Sequence, residues 1–242
     1  MADARTSPEP ATFAEVLLPE ATRSLIRTTD GLEESEYAAA SSLPGWTRAH
    51  VLAHLALNAE GLAGALAGIV KGRRVPMYAS PEARDADIEE LAGKAPAAIR
   101  TRLLGACTDL ADAITAVPDD AWDTRIERTP GGPSFPASAV PGMRLREVEI
   151  HHVDLAAGYD RSGWSPELTI HVLDTAETRG RGGAAFAVHA TDLGRSWAFG
   201  DPAGGGPTAS GAAADLAWWL TGRGSGEGLA CDGGELPRIE EW

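Results

Sequence analysis

Segments with the period of an amphipathic helix fill the first two thirds of the chain, and prolines and glycines separate them. The first predicted helix runs from Thr12 to Ile26, with Pro19 as a kink or a restart. Thr47 is placed to N-cap the second, which ends before Lys71-Gly72. Three further helices are predicted, one opened by Ser80-Pro81, one over 96–117 and one over 138–157. Several such helices joined by short loops indicate an antiparallel bundle.

The pattern changes after Tyr159. A helix opened by Ser165-Pro166 is followed by two strands that alternate around a turn, a second helix and a short strand. These elements are predicted over Ala184–Ala190, Ser196–Phe199, 212–220 and 229–231. The Gly-rich segments, Thr129 to Pro136 and Gly204 to Gly206, are predicted as a loop and a turn, because neither has the spacing of a phosphate-binding loop. We therefore predict a helical bundle over residues 1–160 and a small α+β domain over 161–242.

Composition and charge narrow the class of protein. Hydrophobic residues make up 43% of the 242 residues, which is typical of a globular protein. The net charge of −14 disfavours nucleic acid and anionic membranes as partners. The sequence contains no run of about 18 apolar residues that would predict a transmembrane helix, and no apolar core of a secretion signal. Its two cysteines, Cys107 and Cys231, cannot form a disulfide framework. We expect a reduced, monomeric protein of the cytoplasm.

Histidines and a carboxylate on two predicted helices indicate a metal site. His50 and His54 lie on the second helix, and Glu147 lies four residues before His151 on the last bundle helix. Residues i and i+4 share a helix face, so Glu147 and His151 project together. Two histidine nitrogens and one carboxylate oxygen from facing helices suit a divalent transition metal such as zinc, with a fourth position open for water or substrate.

Spacing alone does not choose the ligands. Glu149 and His152 form a rival pair at i and i+3, a spacing also used in carboxylate-bridged metal bundles. A single histidine on a helix, such as His50, is more often a hydrogen-bonded core or surface residue than a ligand. From the residues alone, both pairs stay open.

Four motifs together resemble the mycothiol-dependent maleylpyruvate isomerases. The motifs lie in order along nearly the whole chain and cover 45–54 (GWTRAHVLAH), 76–84 (PMYASPEAR), 146–155 (REVEIHHVDL) and 222–225 (GRGS). The first and third are shared with a wider DinB-like family of mycothiol users, and the other two narrow the resemblance to the isomerases. The resemblance implies a DinB-like four-helix bundle followed by a sterol-carrier-protein-like α+β domain.

The resemblance also implies a site and a reaction. It places the zinc ligands on His54, Glu147 and His151 and two essential arginines on Arg84 and Arg223, whereas His50 matches a histidine that is not a ligand. The cofactors implied are Zn²⁺ and mycothiol, and the substrate implied is maleylpyruvate, isomerised from cis to trans in gentisate degradation. A thiolate that adds to the double bond leaves a single bond that can rotate, and its elimination restores the alkene.

Two other functions remain open at this point. A mycothiol S-transferase would use the same metal and thiol with another electrophile. A non-enzymatic zinc-binding regulator would usually have cysteine ligands, which the motifs lack. For Arg223, which follows the apolar segment Leu216–Leu220, a helix C-terminus is predicted, where the helix dipole also favours a cation.

Overall fold

A computed structural model describes residues 13–179, 185–201 and 205–239. Three predicted positions, Thr12, Ala184 and Gly204, lie outside these ranges. The chain divides into two compact units at Tyr159 and Asp160.

The first unit is helical. A π-helical turn, Phe13–Leu17, leads into α1, and the restart lies at Pro19, which occupies the first turn of α1. The longer helices of this unit are α1 (Leu18–Gly31), α2 (Arg48–Val70), α3 (Pro81–Ala92), α4 (Pro96–Ala116) and α5 (Val140–Asp154). Helix α2 packs against α4 and α5, and α1 packs against both of them, so these four helices form a closed bundle. The predicted four-helix bundle is confirmed.

Helix α2 is the central helix, and this explains its unusually apolar composition. Leu52, Leu55, Leu62 and Leu66 are fully buried, and Leu62 and Leu66 share a core cluster with Leu110 of α4. Its 23 residues are long and apolar enough to cross a membrane, contrary to the expectation from the sequence. However, 67% of the apolar window is buried inside the bundle, which is what the core helix of a globular unit requires.

A short hairpin interrupts the predicted Gly/Pro loop. Strand β1 (Arg125–Glu127) pairs antiparallel with β2 (Ser134–Pro136), so the prediction of a loop through Pro136 is wrong for its last three residues. Strands of three residues are too short to show a period of two, which is why the pattern missed them. The hairpin matters for the site because the backbone N–H of Tyr78 donates to the carbonyl of Arg128, and so it holds the segment before α3 in place.

The second unit is α+β, as predicted. It contains α6 (Pro166–Thr178), α7 (Ala213–Leu220) and a four-stranded sheet in the order β4-β3-β5-β6. The strands are β3 (Phe186–Ala190), β4 (Arg195–Phe199), β5 (Thr208–Gly211) and β6 (Ala230–Cys231). The β3–β4 hairpin is confirmed, whereas β5, which pairs parallel to β3, was not predicted. Helix α6 packs on β4, and α7 packs on β3 and β5.

Candidate metal centre

Helix α2 presents polar side chains at consecutive turns of one face. His50, His54 and Asn58 are spaced by four residues and therefore lie one above the other. His50 closes a capping box: its Nδ1 lies 3.2 Å from the backbone N–H of Thr47, which donates to it, and 2.7 Å from the Thr47 hydroxyl. Its Nε2 lies 3.3 Å from a carboxylate oxygen of Glu89. Both ring nitrogens of His50 are thus engaged in helix contacts, and the reading of His50 as a hydrogen-bonded helix residue agrees with this geometry.

Helix α5 presents the complementary face. Arg144, Glu147, His151 and Asp154 follow one another at spacings of three or four, so they form a polar stripe. The stripe faces α2 in antiparallel order, because Arg144 donates to Asn58 at 2.7 Å, whereas Glu147 contacts His54 one turn further along. Each helix therefore presents a line of polar side chains to the other, and the two lines form a buried polar seam between α2 and α5.

His54, Glu147 and His151 meet in the middle of this seam. The distance from His54 Nε2 to Glu147 Oε2 is 2.9 Å, and that from His151 Nε2 to the same oxygen is 3.5 Å. The two imidazole rings stand edge to face, with centroids 4.6 Å apart. His54 is buried, whereas 30% of the Glu147 side chain is exposed, so the cluster is closed on one side and open on the other.

The donor set and its spacing fit a metal ion of the zinc type. One ligand atom from each of the three residues lies within 4.8 Å of the others. Ligands about 2.0–2.1 Å from a tetrahedral zinc lie about 3.4 Å from one another, close to the observed separations. Two nitrogens and one oxygen form a borderline donor set that leaves the fourth position open, as in catalytic rather than structural sites. The cluster could therefore hold a metal ion, consistent with zinc.

The protonation states are set by burial and by the mutual contacts. Burial lowers the pKa of His54 to about 4, against the opposing effect of its bond to Glu147. Burial alone would raise the pKa of Glu147, but the bonds from His151 and His54 outweigh it and hold the pKa well below its ordinary value. Burial also lowers the pKa of His151, but the bonds to Asp154 and Glu147 raise it more. The cluster thus contains a carboxylate that is ready to act as a ligand and two imidazoles whose nitrogens face it, and a metal competes with protons for those nitrogens.

Asp154 is a candidate site residue that the sequence pattern did not single out. Its fully buried Oδ2 lies 2.9 Å from His151 Nδ1, and its Oδ1 accepts a hydrogen bond from the Ser42 hydroxyl at 3.0 Å. A carboxylate behind a ligating histidine fixes the ring orientation and keeps the proton on the nitrogen away from the metal. The signal was available, because Asp154 lies three residues after His151 and seven after Glu147, on the same helix face.

The rival pair is engaged elsewhere. His152 Nε2 lies 2.7 Å from the Thr28 hydroxyl on α1, and its ring stacks on Tyr159 with centroids 3.7 Å apart. Glu149 accepts a hydrogen bond from the Tyr159 hydroxyl. The structure therefore brings Glu147 and His151 to His54 and directs Glu149 and His152 to another contact.

Arg84 lies beside the cluster. Ser80 caps α3, since its hydroxyl accepts from the backbone N–H of Ala83 at 3.1 Å, and Arg84 follows in the first turn. Its Nη2 lies 3.1 Å from His54 Nδ1, and its guanidinium carbon lies 5.9 Å from the centre of the Tyr78 ring. Burial raises the pKa of Tyr78, whose ring faces the Arg84 guanidinium.

Arg223 belongs to the second unit. It follows Thr221, the C-cap of α7, so the predicted helix C-terminus agrees with the structure. Its Nη1 donates to the Thr221 carbonyl at 3.2 Å, and its guanidinium lies 5.7 Å from the Trp218 ring centre. Its role in a reaction stays a prediction.

The comparison with known proteins agrees with this fold. Residues 18–156, more than half of the chain, match the family model of the mycothiol maleylpyruvate isomerase N-terminal domain. The chain therefore belongs to this family. Over 97% of its length it is also similar to two crystal structures, one of the mycothiol-dependent maleylpyruvate isomerase and one of a histidine-to-alanine mutant of that enzyme. Both are 27% identical to it, with a TM-score of 0.87 and 98% of their own chains covered. Among curated protein sequences, none matches significantly.

Proposed function

We propose that this chain is a metal- and mycothiol-dependent isomerase that converts maleylpyruvate to fumarylpyruvate. The observation that carries the proposal is the three-residue cluster of His54, Glu147 and His151 in a chain that is similar over 97% of its length to an enzyme of that activity. The same three residues would hold the zinc ion. A zinc ion with an open position supplies a deprotonated thiol at neutral pH, where a free thiol of pKa about 8.5 is mostly protonated.

The isomerisation needs a thiolate that adds to the double bond of the substrate and is later eliminated. Attack on the alkene forms a C–S bond, and the π electrons move into the adjacent carbonyl as an enolate. The former double bond rotates as a single bond, the enolate electrons return, and the C–S bond breaks with release of the same thiolate. No atom is gained or lost, so the thiol acts as a true catalyst. Mycothiol is its source in this proposal, because Cys107 and Cys231 are not members of the metal cluster.

The arginines would bind the substrate. Maleylpyruvate carries two carboxylates, whereas the chain has a net charge of −14, so local cations are required to attract it. A guanidinium matches a carboxylate with two parallel hydrogen bonds. We assign this role to Arg84, beside the cluster, and to Arg223, through which the C-terminal domain over 161–242 would contribute to the active site. We place the enzyme in the cytoplasm, as a monomer.

The test combines metal analysis with an isomerase assay in the presence and absence of mycothiol. We expect one zinc per chain and activity only with the thiol. His54→Ala should abolish zinc binding and activity while the far-ultraviolet circular dichroism stays that of the parent, because the apolar core of the bundle does not include the ligands. His189→Ala, on β3, is the matched control.

The outcomes separate the parts of the proposal. If His54→Ala binds zinc as tightly as the parent, the ligand assignment is wrong. If the parent conjugates mycothiol to other electrophiles but does not isomerise maleylpyruvate, the protein is a mycothiol S-transferase. His152→Ala should be the milder change, since His152 is directed to Thr28.

A further inference from the structure

Arg84 and a metal ion require opposite tautomers of the His54 ring. Arg84 Nη2 lies 3.1 Å from His54 Nδ1. A guanidinium can only donate hydrogen bonds, so Nδ1 must be the acceptor. In a neutral ring the proton then sits on Nε2, and this nitrogen lies 2.9 Å from the Glu147 oxygen that receives it. The contact with Arg84 therefore selects one tautomer of His54.

A metal ion selects the other tautomer. The Nε2 atom faces the cluster, so a metal held by His54 takes the lone pair of Nε2 and leaves the ring proton on Nδ1. The Nδ1–H would then face an N–H of Arg84 at 3.1 Å, two donors with no acceptor between them. His151 presents the opposite case, because its Nδ1 already faces the carboxylate of Asp154, an acceptor that suits the metal-bound ring.

The Arg84 guanidinium can form hydrogen bonds away from His54. Its Nη1 donates to Asp85 Oδ1 at 2.7 Å, and the Asp85 side chain is 67% exposed, so this bond leads away from the cluster. Its Nε is buried without a hydrogen-bond partner in the part of the chain that the structure describes. A guanidinium with an unsatisfied buried N–H gains a hydrogen bond when it turns towards an acceptor or water.

We propose that Arg84 leaves His54 when a metal binds, so that metal loading releases the guanidinium that receives the carboxylate of the substrate. The proposal rests on the proposed function in two points, that His54 is a ligand and that Arg84 binds the substrate carboxylate. In the metal-free protein Arg84 is held by His54 and is a poor anion site, whereas in the loaded protein it is free to contact the substrate. Because coupling is reciprocal, an anion that captures Arg84 also favours metal binding.

The affinity for zinc tests the proposal, with activity left aside. Zinc dissociation constants are measured by competition with a chromophoric chelator for the parent, Arg84→Met and Arg128→Met. Methionine keeps the unbranched apolar stem of the side chain but cannot donate to His54. Arg128 is the control for loss of a nearby charge, because its guanidinium lies 5.8 Å from the same Tyr78 ring, on which Arg84 lies at 5.9 Å. We expect Arg84→Met to bind zinc about tenfold more tightly than the parent, and Arg128→Met to stay within about twofold.

Three results would overturn the inference. An unchanged or weakened affinity in Arg84→Met would show that the contact does not oppose the metal. An equal gain in both variants would reduce the effect to charge. A parent that binds no zinc would instead overturn the metal centre itself, and the inference with it.

A second measurement does not depend on any variant folding. A crystal structure of the zinc-loaded parent should show Arg84 Nη2 beyond hydrogen-bond distance, more than about 3.5 Å, from His54 Nδ1. If the contact persists while zinc sits on Nε2, the proposal is wrong.

Discussion

Replacing Asp154 by asparagine should weaken zinc binding about tenfold. The carboxylate of Asp154 is fully buried and accepts from His151 Nδ1 at 2.9 Å and from the Ser42 hydroxyl at 3.0 Å. Asparagine has the same shape, so the packing around Ser42 is retained, but its amide oxygen carries no charge.

The magnitude follows from the kind of bond that is lost. A hydrogen bond to a charged group contributes about 1.5–3 kcal/mol, and a neutral one contributes about 1 kcal/mol. The charged bond is therefore stronger than the neutral one by about 1.4 kcal/mol, and this corresponds to a factor of about ten in a dissociation constant. This agrees with the effect of about 10- to 100-fold expected for partners of metal-ligating histidines.

Chelator competition at about pH 8, where protons compete less for His151, measures the effect. Asp30→Asn is the control, because Asp30 pairs with Arg100 at 2.6 Å and is not a member of the cluster. Thermal unfolding of the metal-free proteins reports any loss of fold. If Asp154→Asn binds zinc as tightly as the parent and melts normally, Asp154 does not orient His151, and the reasoning fails.

Three more results are expected. Burial lowers the pKa of His152 to about 4 from an ordinary 6.5, so the unfolded chain binds more protons there than the folded protein does. The free energy of unfolding should therefore fall by up to about 3 kcal/mol between about pH 6.5 and 4, and urea titrations of His152→Gln should show a shallower decline. Arg223→Ala should lower kcat/KM about 100-fold, about 2.7 kcal/mol, with zinc content and Tm almost unchanged, and Arg223→Lys should recover only part. A loss that merely tracks unfolding would make Arg223 structural. Arg144→Met should lower the free energy of unfolding by about 2–4 kcal/mol in urea, because it leaves the buried Asn58 oxygen without its charged donor; a change below about 0.5 kcal/mol would contradict this.

Much of the helical fold was predictable because its signals are local. Thr47, Ser80 and Ser165 each begin a helix where an N-cap was expected, and Gly72 follows the end of α2 with a positive φ of 64°. Strand β5 was missed for the opposite reason. Its residues, Thr208–Gly211, carry almost no apolar pattern, and it becomes a strand only through pairing with β3 and β6.

The site was predictable as far as helix periodicity reaches. Spacing placed Glu147 and His151 on one face, but it also admitted Glu149 and His152, since two positions along a helix rotate a side chain by about 200° and both pairs look alike in sequence. Which of these two faces packs against α2 depends on tertiary structure, which helix periodicity does not encode. The contact of Arg84 with His54 joins residues 30 positions apart, so no local pattern contains it, and it entered the sequence analysis only through the resemblance.

The register of α2 against α5 sets the spacing of the ligands, and residues outside the cluster fix that register. On one side, Arg144 donates to Asn58 and to the backbone carbonyl of Leu55, so it ties the start of α5 to the middle of α2. On the other side, Arg48 donates to the carbonyls of Leu155 and Ala156 and ties the end of α5 to the start of α2. The cluster lies between these two clamps. A shift of one helix by a single residue, about 1.5 Å, would move Glu147 out of reach of His54, so the contacts of Arg144 and Arg48 help to preorganise the centre for a metal.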